Sequence, residues 1–192
     1  MPRTQLQLEV GADYSVPEFI ELFRALETLY NLAALPIVVG EIAAAVRNQL
    51  PPTFWQAQWP HNDARWLLEY PLAPWLRPLS RLVREMPRVL GSERLMRIRS
   101  IHLESPGDIK VDLGLAEVAK EFREWTRWLT NGRTADKLEI LERKIRILKE
   151  VGYSEDEIRK VMAKGDIALN KLLGLAKEGK LLIERTLFLE EP

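Results

Sequence analysis

Cysteine is absent from the 192 residues, which excludes disulfides, thiol nucleophiles and cysteine-type zinc sites and suits a reducing compartment. Histidine occurs only at His61 and His102, and no HxxxH, HxH or DxD spacing is present. No metal site and no cofactor are therefore expected. The P-loop, G-x-G-x-x-G and G-x-S-x-G patterns are also missing, so phosphate-loop, dinucleotide and serine-hydrolase chemistry have no sequence basis. Charge of one sign is lacking: 28 basic residues balance 28 acidic ones, and a nonspecific electrostatic hold on nucleic acid would need a local patch. The N-terminal MPRTQLQLEV has no apolar leader core, so no secretory signal is expected and the expected location is cytoplasmic. Lysine is absent from residues 1–109, whereas it dominates the basic set beyond Thr134. That change places a module boundary near residues 131–134 and predicts an α+β domain over 1–132 followed by a helical module over 133–192.

Tryptophan, by contrast, is concentrated: Trp55, Trp59, Trp66 and Trp75 are four of the chain's six and fall within 51–78. Prolines 51, 52, 60, 71, 74 and 78 divide that stretch, and each removes an amide donor and clashes with a preceding turn. The stretch reads as an aromatic insertion, with Trp66, Leu67 and Tyr70 tucked against the domain and at least one of Trp55, Trp59 and Trp75 exposed as a contact residue. The apolar run Leu29–Val46 approaches bilayer length but contains Asn31, Pro36, Gly40 and Glu41, and is read as a buried pair of helices broken at Pro36.

Alternation over Gln5–Val10 predicts a half-buried strand. Ser15 with Glu18 is a capping box opening a helix that carries Phe19, Phe23, Leu26 and Tyr30 at helical spacing. Residues 95–104 and 109–113 read as two strands around the turn residues Ser105, Pro106, Gly107 and Asp108, forming a three-stranded antiparallel sheet with the first. Leu115, Val118, Phe122, Trp125 and Leu129 form the stripe of a helix lying across it. Leu138, Leu141, Ile145 and Leu148 make a heptad-like seam on the next helix, ending at Gly152. Ser154 and Glu157 cap a helix expected to stop at Gly165, Asp166 caps a third, and residues 181–189 are a short terminal strand. The fold class is thus α+β: a small antiparallel sheet covered by helices, with a helical C-terminal module.

Three features bear on function. Arg81, Arg84 and Arg88, at spacings of three and four, are expected on one exposed side of a short helix interrupted or kinked at Pro87, ready for an acidic surface or phosphates. The seam residues Leu138, Leu141, Ile145 and Leu148 are too apolar to leave wet and predict self-association. His61 with Asn62 and Asp63 is a conceivable general-base pair, but a polar turn explains it as well, and Ser105 has no base beside it. The strand, Ser105–Pro106 turn, strand and helix at 98–130, behind an N-terminal strand and helix, resemble a set of uncharacterised bacterial α+β proteins. The resemblance covers 5–130, departs at the tryptophan-rich insertion, and implies a fold and a prokaryotic origin but no activity. The leading reading is a noncatalytic, oligomerising interaction or scaffold protein, working as a homo-oligomer or with a protein partner. Its rivals are a nucleic-acid-binding regulator using the arginines and the terminal helices, then a peripheral membrane protein using the insertion; an enzyme built on His61 and Asp63 comes last.

Overall fold

The computed structural model describes residues 3–11, 14–49, 78–102, 106–131 and 134–191. In chain order these form β1 (Arg3–Val10), α1 (Val16–Gln49), α2 (Leu79–Leu90), β2 (Arg97–His102), β3 (Gly107–Leu113), α3 (Ala116–Asn131), α4 (Thr134–Glu150), α5 (Glu155–Lys177) and β4 (Leu181–Glu191). The protein is α+β, with one antiparallel sheet in the order β2-β3-β1-β4 and helices packed on one side.

Period-two alternation decides which face of the sheet is dry. Leu6 lies opposite Val111 and Leu8 opposite Ile109, and all four are buried together with Val10 and Leu113. The other face carries Gln5, Gln7, Glu9, Lys110 and Asp112, as expected when helices cover only one side. There Arg99 pairs with Asp112, and Arg185 Nη1 reaches Glu9 Oε1 at 2.5 Å. The helix α3 crosses β1, β3 and β4, as its stripe predicted.

Four expectations are corrected. The helix α1 does not break at Pro36 but runs through it. Proline in a helix interior costs about 3 kcal/mol, yet Leu35, Val38 and Val39 beside it are all but fully buried, and each buried side chain of this kind contributes about 1.5–3 kcal/mol. Tertiary burial outweighs the local break. The same holds for α2, which continues past Pro87 between the enclosed Met86 and Leu90. Nor does Gly165 stop a helix: α5 is continuous from Glu155 to Lys177. A Cβ at Gly165 would lie 2.9 Å from Leu32 Cδ1, so this glycine serves the close approach of α5 to α1, and three short helices in the last third become two long ones. Finally, the sheet has a fourth strand. β4 pairs with β1 (Leu6 opposite Phe188, Val10 opposite Leu181), and α5 packs on α1, so residues 133–192 share one core with the first part of the chain.

The predicted capping boxes are present. Ser15 N–H donates to Glu18 Oε2 at 2.7 Å and Glu18 N–H to Ser15 Oγ at 3.4 Å; Glu157 N–H donates to Ser154 Oγ at 3.3 Å. Glu18 has a further task, since Lys180, just before β4, donates to its other carboxylate oxygen. Lys180 first and Ser15 second hold the Glu18 carboxyl down at about 2. A carboxylate depressed in the folded state stabilises it above the ordinary value of 4.5 and loses that contribution as pH falls towards about 2. Replacement Glu18→Gln is therefore expected to lower Tm at neutral pH and to leave it equal to the parent's at about pH 2, in thermal melts across that range. A gap of constant size would mean that the carboxylate's charge is not what ties α1 to β4.

Candidate functional site

The amphipathicity of α2 builds one wall of a groove. Leu79, Leu82, Val83, Met86 and Leu90 are buried, which turns Arg81, Arg84 and Arg88 outwards; all three are exposed, as their spacing predicted. Between this helix, α1 and α5 lies a groove of about 510 Å³, lined by Glu27, Thr28 and Asn31 of α1, Ser80, Arg81, Val83, Arg84 and Pro87 of α2, and Lys164 of α5. That volume is in the range of small-ligand sites.

The groove is electrostatically unfinished. Arg81 Nε pairs with Glu85 Oε1 at 3.0 Å along the helix, but Arg84, Arg88 and Lys164 have no ionic partner among the described residues. The helix α2 begins after Pro78, which supplies no side-chain cap, and its first turn contains no acid, so the positive end of the helix dipole adds to the arginines rather than being neutralised. On the α1 wall Thr28 Oγ1 donates to the Arg24 carbonyl at 2.7 Å. Beside it Asn31 is only 9% exposed.

A second polar cluster is internal. Glu121 of α3 and Lys144 of α4 form an ion pair with each side chain 5% exposed, and the Lys144 ammonium sits 5.0 Å from the Trp125 ring centroid. Burial raises the Glu121 carboxyl and lowers the Lys144 ammonium, each partner's charge working against that shift. The adjoining cavity, lined by Leu29, Leu32, Trp125, Leu141 and Met162 among others, holds about 40 Å³. A space of that size takes only a few waters. The pair therefore ties α3 to α4 rather than serving a substrate.

The remaining sequence-predicted residues fall in different places. Leu148 is fully enclosed, and Leu141 and Ile145 pack against the core; Leu138 lies on the same helix, α4, with its side chain outside the description. α4 docks on α1, α3 and α5, so Leu148 is core, while Leu141 and Ile145 are only partly covered by the chain itself. His102 is exposed on β2. Trp55, Trp59, Trp66, Trp75, His61, Asp63 and Ser105 lie outside the described residues. Among the described residues no group of three histidine, aspartate or glutamate side chains is placed to hold a metal ion. The α1 segment Val16–Ala45 is long and apolar enough to cross a membrane, with mean hydropathy 1.5, but 44% of its most apolar window is buried inside the protein.

Sequence reasoning missed Lys164, Thr28 and Ser80, which join the groove only through the packing of three helices. Asn31 did leave a signal, a polar side chain within an apolar helical run. No protein-family model, curated protein or solved structure matches the chain, and the chemistry of the groove rests on its own residues.

Proposed function

We propose that this chain is a noncatalytic interaction protein whose α2 arginine face receives an acidic segment of a partner protein. The observation that carries the reading is the exposure of Arg81, Arg84 and Arg88 on one side of a helix whose other side is core, beside a groove that contains Lys164. A buried apolar face fixes the helix, so the cations are presented on a rigid support and little ordering entropy is lost on binding. Glu27 and Glu85 stand among these cations and the chain is neutral overall. A short acidic segment that threads between the two glutamates suits this pattern better than the long uniform polyanion of nucleic acid.

The combined replacement of Arg81, Arg84 and Arg88 by glutamate is expected to weaken binding of a polyglutamate peptide at least tenfold, as measured by fluorescence anisotropy at low salt. Stability should change by only about 0.5 kcal/mol, because the substituted side chains are exposed. Unchanged peptide affinity, or tight salt-dependent binding of duplex DNA in its place, would overturn the reading.

For self-association, the other half of the expectation, we propose a different surface. β4 is an edge strand, and Leu187 and Leu189 on it are 52% and 41% exposed. Apolar edge strands are templates for pairing with another chain. The reading we favour is therefore a second copy added along β4.

A further inference from the structure

The sheet ends on two strands, β2 and β4, whose outer edges differ in chemistry. We infer that these edges fit each other across two copies of the chain: β4 of one copy receives β2 of the next, so that one antiparallel sheet continues from molecule to molecule. The inference rests on the reading that a second copy adds along β4, and it names the surface which that copy brings.

Topology is the first observation. β2, β3, β1 and β4 lie side by side in that order and each neighbouring pair is antiparallel, so the two outer strands run in opposite directions. A copy displaced along the sheet therefore lays its β2 antiparallel to β4, with the helices of both copies on the same side.

The second observation is an apolar row that stops short at the edges. Ile98 lies opposite Val111, Val111 opposite Leu6, and Leu6 opposite Phe188. Val111 and Leu6 are buried, but Ile98 is 46% exposed, and Phe188 is partly buried with the Arg123 guanidinium 5.3 Å from its ring centroid. Ile101, opposite the enclosed Ile109, is likewise 42% exposed. Both isoleucines share the face that helices cover over β1 and β3, yet every residue of β2 except Ser100 is exposed. Carried across the contact without stagger, the row sets Ile98 of the incoming copy beside Phe188 and extends the core face through the interface.

The third observation is charge. β2 contains Arg97 and Arg99 and no acid, whereas β4 has Glu184, Glu190 and Glu191 against Arg185. Two β2 strands would oppose arginine to arginine, and two β4 strands would join edges with the same negative excess; β2 on β4 brings opposite signs together. Charge is a common guard of edge strands, and here it rejects a like edge while accepting the other. In the unstaggered register Arg97 falls beside Leu189, with Glu191 two residues along the strand, and an arginine stem can lie on an exposed leucine. Pairing of β4 with β4 would also leave Ile98 and Ile101 bare.

Such a contact is heterologous, so the assembly grows past a dimer, as an open chain or a closed ring. Sedimentation velocity at rising concentration should therefore show species heavier than a dimer. Ile98→Glu spoils β2 and leaves β4 intact; Leu187→Lys does the reverse. Both positions are exposed, so both variants should fold, which thermal melts check, and Ile101→Glu replaces Ile98→Glu if that variant does not. Each alone should self-associate about tenfold more weakly. An equimolar mixture should give a one-to-one dimer that grows no further, because the pair retains one good edge of each kind and uses both.

Folded variants that remain monomeric in the mixture would overturn the inference. A parent that stops at a dimer, or full assembly of Ile98→Glu beside a monomeric Leu187→Lys, means that β4 pairs with β4, and only this inference falls. A parent that is monomeric at high micromolar concentration, or a Leu187→Lys protein that assembles as the parent does, removes the β4 reading together with it.

Discussion

Replacing Lys144 by methionine alone is expected to destabilise the fold by about 3–5 kcal/mol, the cost of leaving one member of a buried ion pair without the other. The stranded group is Glu121, 5% exposed between α3 and α4 and already raised by burial even with Lys144 beside it. Replacing both residues by methionine should recover most of the loss, because two apolar side chains of similar volume need no counter-ion. The pH dependence of the single variant follows from the direction of the Glu121 shift. A carboxyl whose folded pKa is raised binds its proton more tightly in the folded state, so stability is highest in acid and declines as pH rises through that pKa. The deficit of Lys144→Met should therefore narrow on acidification, when Glu121 takes up a proton. Denaturant melts of the parent, single and double variants at neutral and acidic pH measure this; a double variant as weak as the single one would show that packing around Trp125, not charge, holds α3 to α4.

Truncating Leu148 to alanine is expected to cost about 2–5 kcal/mol, the range for a large side chain removed from a closed core. Leu148 is fully enclosed, and its neighbours come from the chain's own helices. The oligomeric mass found by light scattering should be the same for Leu148→Ala and the parent, since the substitution touches no outer surface. Replacing Leu187 by lysine should do the opposite, leaving stability nearly unchanged and reducing any assembly, because a charge on an exposed edge strand opposes strand pairing. Loss of assembly in Leu148→Ala with stability retained would return the α4 seam to the outside and make it an interface after all.

The contrast between these residues marks how far the chain could be read without its structure. Local chemistry was legible. Alternation from Gln5 to Val10 and from Ile109 to Leu113 specified which side chains enter the core, and the structure buries those on the predicted face. The Ser15–Glu18 and Ser154–Glu157 boxes start helices because each side-chain oxygen takes an amide that the helix cannot. Arg81, Arg84 and Arg88 share a face by the 3.6-residue period alone, and they are exposed.

What failed were inferences in which a local helix-breaking rule met a long-range contact. Pro36 and Gly165 are helix breakers by propensity, yet Leu32, one turn before Pro36, packs so closely on Gly165 that each helix holds the other in place. The apolar periodicity of Leu141, Ile145 and Leu148 states that one side of α4 must be covered; it carries no information on whether a second molecule or the chain's own α1, α3 and α5 do so. The terminal strand pattern of 181–189 was visible, but its neighbour β1 lies at the other end of the chain, and pairing at that separation leaves no periodic trace. The groove is the clearest case. Asn31, Ser80, Arg84 and Lys164 are ordinary residues at unrelated positions, and only the packing of α1, α2 and α5 brings them to the wall of one groove. The sequence by itself determined the α+β class, the dry face of the sheet and the arginine face, because those depend on side-chain period and backbone capping within a few residues. The tertiary structure alone decided which apolar surface is core and which polar groups share the groove, because both depend on contacts between segments far apart in the chain.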